Sequence, residues 1–300
     1  MSKIVVTGAT GYIGSNIVKK LLDDGNEIYL ICRKSSSIEN LKSVESKLNI
    51  FFYEDNIEAL IEFFNKIKPD CVFHLASLFI AEHKNKDIGA LIDSNIKFGT
   101  NILEAMKEAN IKNLINTGTS WQNYNSEEYN PVCLYAATKE AYEKIIEYYV
   151  STHELKVITL RLFDTFGPKD NRNKILNLLD KFSKEKTVLK MSPGEQMLDL
   201  TYIDDIVSGF CRANQLVGNM QVGKHYKYVL SSERIKLKDL IKLYESLSDK
   251  KVLVEWGARP YRDREVMIPC TNLEILPGWK AEISLKDGLN RMIEINKLMI

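Results

Sequence analysis

Tyr135 and Lys139 stand four residues apart in Tyr135-Ala136-Ala137-Thr138-Lys139, a spacing that puts both on one face of a helix. A phenol titrating near pH ~10 is a poor proton donor and acceptor at neutral pH until a neighbouring ammonium stabilises its anion. The pair therefore points to general acid–base work on a substrate oxygen, with Lys139 lowering the Tyr135 pKa. The motif is weak by itself, because in a chain with 14 tyrosines and abundant lysine about one or two such pairs arise by chance. Its surroundings strengthen it. A strand read over 113–117 is followed by Thr119 and Ser120, at the carboxyl edge where open α/β sheets bind ligands. The Thr119 hydroxyl can bond the reacting oxygen, although ordinary turn chemistry also accounts for two hydroxyls there.

A second group of residues suits an anion. Thr7-Gly8-Ala9-Thr10-Gly11-Tyr12-Ile13-Gly14 follows the first apolar run and opens the first helical one. Gly8 permits the tight turn, Gly11 lets a pyrophosphate approach the helix N-terminus, and Gly14 lets helix pack on strand. Thr10, Tyr12 and Ile13 fall in the same dinucleotide-binding turn. After the second strand comes Ile31-Cys32-Arg33-Lys34-Ser35, with two cations where a carboxylate would select the free ribose hydroxyl. Arg33 and Lys34 favour the 2′-phosphate of NADP(H) through charge-assisted bonds; solvated loop charges are the alternative reading. Asp55 and Asn56, after the third strand, are placed to receive the adenine end.

The elements that must position these residues alternate. Strand-like runs at 3–7, 27–32, 71–75, 113–117 and 156–163 interleave with helical periods at 12–24, 57–67, 95–109 and 135–152. Apolar strands without polar alternation are buried on both faces. The fold class is α/β, a doubly wound parallel (Rossmann) sheet of about six strands before Gly167, with a smaller α/β C-terminal lobe. A helix is expected over about 175–183. A strand at 226–231 gives residues 1–166 as the dinucleotide-binding domain, its sheet rejoined by about 199–232, and residues 167–198 and 233–300 as the second lobe.

A net charge of +1 in 300 residues gives no basic patch for nucleic acid and no attraction to an anionic membrane. With 45% apolar and 27% charged residues, the chain is expected to be globular and soluble rather than disordered. No run approaches a membrane span and no signal-peptide core follows Met1, so a cytoplasmic location is expected. The five dispersed cysteines suit reduced thiols, and no metal site is expected.

These motifs together resemble extended short-chain dehydrogenases/reductases, the nucleotide-sugar epimerase, dehydratase and reductase group. Nearly the whole chain carries the resemblance: His74-Leu75-Ala76, Asn95 with Gly99-Thr100-Asn101, Arg161-Leu162-Phe163 through Phe166-Gly167-Pro168, Gly194-Glu195-Gln196 leading to Tyr202-Ile203-Asp204-Asp205, and Gly278-Trp279-Lys280. It implies Thr119, Tyr135 and Lys139 as the catalytic set. Leu75, Ala76, Ser77, Phe163 and Lys139 then join the cofactor contacts, and Ser120, Trp121, Arg172, Gln196, Arg262 and Glu265 form the substrate contacts. A homodimer through helices over about 92–109 and 136–152 is implied too. Dehydratases of the group place an Asp-Glu pair after the Thr, where this chain has Ser120-Trp121, so elimination lacks its acid and base. The stretch 194–205, with Trp256-Gly257-Ala258 and Arg262-Asp263-Arg264-Glu265, is most similar to 4-ketoreductases of the CDP-abequose and CDP-paratose synthase type. Leu198 replaces an Arg usual in that type; Arg262 and Arg264 are candidates for diphosphate contacts, or a solvated loop. The function implied is NADPH-dependent reduction of the 4-keto group of a nucleotide-linked 6-deoxy or 3,6-dideoxy sugar, CDP-linked by preference, for surface polysaccharide such as lipopolysaccharide. An NAD-dependent 4-epimerase and a non-catalytic NADP(H)-sensing protein are the alternatives.

Overall fold

The computed structural model describes residues 1–298. It opens with β1 (Lys3–Thr7), in which Ile4, Val5 and Val6 are all buried. A β-branched run covered on both faces is what a central parallel strand requires. The glycine turn leads into α1 (Tyr12–Asp23), whose Ile17, Val18 and Leu21 form its buried stripe, then β2 (Glu27–Cys32) and β3 (Leu48–Phe52). Next come α2 (Ile57–Ile67), β4 (Cys71–His74) and α3 (Ile88–Ile92), which passes through a π-helical turn at Asp93–Lys97 into α4 (Phe98–Glu108). β5 (Asn113–Thr119), α5 (Leu134–His153) and β6 (Lys156–Leu162) complete this half.

Beyond Leu162 the chain alternates between two places. β7 (Asp164–Phe166), α6 (Ile175–Glu185), β8 (Leu189–Met191) and β9 (Met197–Tyr202) begin a second lobe. α7 (Ile203–Val217) packs on α1, and β10 (Lys224–Leu230) pairs in parallel with β6, from Lys224 opposite Lys156 to Leu230 opposite Leu162. β11 (Glu233–Lys236), α8 (Leu237–Ser248), β12 (Val254–Trp256) and α9 (Leu285–Lys297) finish the lobe.

The main sheet has seven strands in the order β10-β6-β5-β4-β1-β2-β3, all parallel. The order reverses between β1 and β4, and the crevice beyond the strand ends at such a reversal is where doubly wound sheets take ligands. One core lies between the sheet and α2, α4 and α5; the other lies under α1 and α7 and continues into the second lobe.

Three boundaries differ from the sequence reading. β5 runs on to Thr119, so this residue ends the strand rather than following it. The return to the sheet expected over 199–232 is divided. Met197–Tyr202 pairs with β7 and β11 in a separate three-stranded sheet, and Asp164–Phe166 lies in that sheet as well. Only β10 rejoins the main sheet, starting two residues earlier than expected. No described helix is long and apolar enough to cross a membrane.

Candidate active site

A cavity of about 520 Å³ opens beyond the C-terminal ends of β4, β5 and β6, a size typical of small-molecule sites. β5 delivers Thr119 to its floor, 8% exposed. α5 brings Tyr135, also 8% exposed, from the side, with Lys139 buried one turn further along. Burial pushes the Tyr135 phenol up to about 12, and the nearby Ser77 and Thr119 hydroxyls pull it partly back. This corrects the expectation of a lowered phenol: the net direction is upward, and Tyr135 is held as a protonated donor. Burial likewise holds the Lys139 ammonium down at about 8, against the Glu143 carboxylate, which raises it. Lys139 makes no ion pair or side-chain hydrogen bond among the described residues. Burying an ammonium is costly, and a ligand hydroxyl beside it would relieve that cost.

Ser77 sits where it does because of Asn95 in the π-helical turn. The Ser77 hydroxyl donates to Asn95 Oδ1 (3.1 Å), which also accepts the Leu78 N–H (2.7 Å). Asn95 Nδ2 donates to Leu78 O and to Thr138 Oγ1, each at 3.0 Å. One buried amide thus ties the loop after β4 to α5 between Tyr135 and Lys139. The same loop carries Phe79, whose ring lies 4.9 Å from Tyr135 and 5.5 Å from Trp121. Together with Tyr124, Val266, Pro269 and Cys270, these rings give the cavity an apolar wall.

The glycine turn fits a dinucleotide. Gly8 has φ +69°, and a Cβ there would lie 2.5 Å from the Ala76 nitrogen; one on Gly14 would lie 2.2 Å from the Gly8 carbonyl oxygen. Backbone therefore packs on backbone, and α1 begins after Gly11 with no side-chain cap on its N–H groups, a ready cradle for a pyrophosphate. Ile13, Leu75, Ser77 and Phe163 line the cavity beside it, and Asn40 donates to Thr10 O (3.1 Å), folding the segment after β2 over the turn. Tyr12 points away from the turn, its phenol donating to Pro168 O (3.2 Å) and its ring under the Arg172 guanidinium at 4.7 Å.

Other expected cofactor residues are already engaged. Lys34 pairs with Glu54 at 2.5 Å, leaving Arg33 as the cation of this pair without a partner among the described residues. Asp55 is bound by Lys97 and Tyr53, and Asn56 caps α2 by accepting from the Ala59 N–H (3.2 Å), so both side chains serve the protein rather than facing the cavity.

Ser120 and Trp121 from the turn after β5, and Arg172, Arg262 and Glu265 from the second lobe, line the cavity. Both arginines arrive paired: Arg262 with Glu265 (2.8 Å) while stacking over Trp121 at 5.0 Å, and Arg172 with Asp170 (2.7 Å). Arg264 turns aside to Asn130 and the Tyr124 ring. Gln196, just before β9, is outside the cavity, donating to Ser192 Oγ (3.1 Å) while its carbonyl accepts the Leu237 N–H (3.0 Å). Leu198 does face the cavity. Phe79, Asp199 and Lys174 were not expected there, and no motif in the sequence marks them. Among the described residues no group of three or more metal-ligating side chains is placed to hold an ion.

The arrangement can orient a carbonyl or alcohol oxygen between the Thr119 and Tyr135 hydroxyls and move a proton to or from it. A family model described as the NAD dependent epimerase/dehydratase family matches residues 4–228. Similar curated relatives include a CDP-abequose synthase of Yersinia pseudotuberculosis, 28% identical over 89% of this chain and 91% of that protein. A UDP-glucuronate 4-epimerase of Thermodesulfobacterium geofontis is also 28% identical, over 99% and 97%. Among solved structures, a UDP-glucuronic acid 4-epimerase from Bacillus cereus in complex with UDP-glucuronic acid and NAD gives a TM-score of 0.87 at 23% identity, covering 99% of this chain and 100% of that one. That likeness concerns the fold.

Proposed function

This chain belongs to the NAD dependent epimerase/dehydratase family, and from that premise we propose that it reduces the 4-keto group of a nucleotide-linked 6-deoxy or 3,6-dideoxy sugar with NADPH, the CDP-linked sugar being preferred. The observation that carries the reaction type is the meeting of a protonated Tyr135 phenol with the Thr119 hydroxyl at the cavity floor, beside a glycine cradle built for a dinucleotide. The similarity to CDP-abequose synthases supports the choice of sugar.

Gly8, Gly11 and Gly14 would hold the pyrophosphate, Arg33 the 2′-phosphate, Lys139 the nicotinamide ribose, and Leu75, Ser77 and Phe163 the nicotinamide end. When bound, the reduced dinucleotide supplies the hydride. Thr119 polarises the C4 carbonyl through its hydroxyl, and Tyr135 gives its proton to the oxygen as charge develops there. Lys139 stabilises the phenolate left behind, which returns to phenol by taking a proton from solvent. Phe79 and Trp121 would offer the sugar an apolar face. No carboxylate directly follows Thr119, so the base that would take the C5 proton and the acid that would protonate the leaving C6 hydroxyl are both missing there, and elimination is not part of the proposed reaction.

One observation favours a second reading. The Lys34–Glu54 pair removes one of the two cations that select NADP(H), which suits an NAD-dependent 4-epimerase. A panel of CDP-, dTDP-, GDP- and UDP-linked 4-keto sugars, followed by the absorbance of NADPH and of NADH, separates the two. Net oxidation of NADPH on a CDP-linked 4-keto sugar is expected. Interconversion of unreduced UDP-sugars by protein that carries tightly bound NAD would replace the reductase with the epimerase. A homodimer through the α3–α4 segment and α5, on which Ile92 at the end of α3 and Tyr148 on α5 are exposed, belongs to the same proposal and is checked by light scattering.

A further inference from the structure

Behind the turn that carries Thr119, Ser120 and Trp121 lies a cluster of charged side chains that proton transfer and cofactor binding leave unused. Arg161 on β6, 4% exposed, donates from Nε to Glu143 Oε1 (3.2 Å), from Nη2 to Glu143 Oε2 (2.6 Å) and Glu140 Oε2 (2.9 Å), and from Nη1 to Asn123 Oδ1 (2.5 Å). Gln122, fully buried, donates to Glu140 Oε2 (2.6 Å) and Glu143 Oε1 (2.8 Å), while its own Oε1 accepts the Thr119 N–H (2.9 Å). Lys227 on β10 reaches Glu143 at 3.4 Å. Gly118 makes the approach possible, since a Cβ there would stand 2.8 Å from Arg161 Cγ and 2.9 Å from Glu143 Oε1.

A cluster of this kind is a poor way to stabilise a fold. The desolvation of each ion offsets most of the attraction, and apolar side chains of similar volume hold a core as well or better. What a fully satisfied buried network supplies is one geometry, because each donor has a fixed acceptor. The geometry fixed here has two ends. Glu143 follows Lys139 by four residues as Lys139 follows Tyr135, so all three share a face of α5. At the other end the network holds the backbone of Thr119. Asn123, held by Arg161, also donates to the carbonyls of Glu127 and Glu128 and so fixes the loop beyond the turn.

We propose that Gln122, Glu143 and Arg161 are positioning residues for the reaction, setting the Thr119 end of β5 against the face of α5 that carries Tyr135 and Lys139 so that both hydroxyls meet one substrate oxygen. This rests on the reading of Thr119 and Tyr135 as the groups that meet that oxygen. Gln122→Met keeps side-chain length and leaves Arg161 with both carboxylates. With NADPH and a CDP-linked 4-keto-6-deoxy sugar, kcat is expected to fall about tenfold or more, while KM for the sugar and Kd for NADPH stay within about twofold. Wild-type kcat, or a loss confined to KM and Kd, would overturn the proposal. If Gln122→Met does not fold, Arg161→Lys, which keeps the charge and loses the fork, carries the same expectation. Failure of both to fold would make the cluster structural only and overturn the assignment. If the wild-type protein itself leaves NADPH unoxidised, the reductase reading fails, and the same comparison is made on interconversion of UDP-linked sugars. There a variant with wild-type kcat would count against the positioning role alone.

Discussion

Tyr135 and Lys139 are both buried, and burial moves their pKa values in opposite directions, the phenol up and the ammonium down. Burial thus favours the neutral form of each, and each shift has a consequence that can be measured. Tyr135→Phe removes the proton donor and nothing else of comparable size, so kcat should fall by about 10²–10⁴-fold while the folded spectrum and NADPH affinity persist; wild-type turnover in that variant would take Tyr135 off the proton path. Lys139 holds its proton up to about pH 8, so the rate is expected to decline above that pH as the ammonium is lost. The linkage to stability runs the other way. Between about 8 and the ordinary lysine value of 10.5 the unfolded chain binds more protons than the folded one, so stability rises with pH across that window. Lys139→Met should accordingly lower activity and raise the urea midpoint at pH 7, a trade common to reactive groups; an unchanged or lower midpoint would contradict the burial argument. That Thr119 and Tyr135 line one cavity was legible from the place of Thr119 at the end of a strand and from the helical spacing that carries Tyr135. Ser77, Phe79 and the Arg161 cluster were less so as parts of this floor: Asn95 orients the loop that carries the first two, and Arg161 meets Gln122 across strands, neither of which a local pattern encodes.

The glycine turn is the element on which the dinucleotide reading stands, and its tolerances are small. Gly8 adopts a left-handed φ and faces the Ala76 nitrogen, and Gly14 faces the Gly8 carbonyl. Gly14→Ala must therefore push α1 away from the turn, at a cost of about 1–3 kcal/mol, and should weaken dinucleotide affinity in the same step; calorimetric melting and a fluorescence titration check both, and an alanine variant with unchanged melting and affinity would refute the close packing. Apolar runs and helical periods matched β1, β2, β4, β5 and β6 and α1, α2 and α5 to within two residues, because buried parallel strands have no polar alternation to confuse the reading. The three-stranded sheet of the second lobe was not readable. Its strands, at 164–166, 197–202 and 233–236, are short, and their pairing joins segments far apart in the chain.

At the scale of the whole molecule, the proposed cofactor preference depends on the two loops that follow β2 and β3. Arg33 has no partner among the described residues, while Lys34 is paired with Glu54 across the ends of β2 and β3. Arg33→Ser should cut the preference for NADPH over NADH by about tenfold or more, and Glu54→Gln should raise it by freeing Lys34, both measured as ratios of kcat/KM. An Arg33→Ser enzyme with unaltered preference would remove the 2′-phosphate from the proposal. The seventh strand has a different kind of consequence. β10 covers β6 only after some sixty residues have been spent on the second lobe and α7. During synthesis, the Val157-Ile158-Thr159-Leu160 edge emerges complete in its apolar pattern and waits, unpaired, for Lys224–Leu230 to leave the ribosome. A chain stopped by a premature stop codon before that point presents an open, apolar strand to every other copy, and its fate is aggregation or degradation rather than a half-active enzyme.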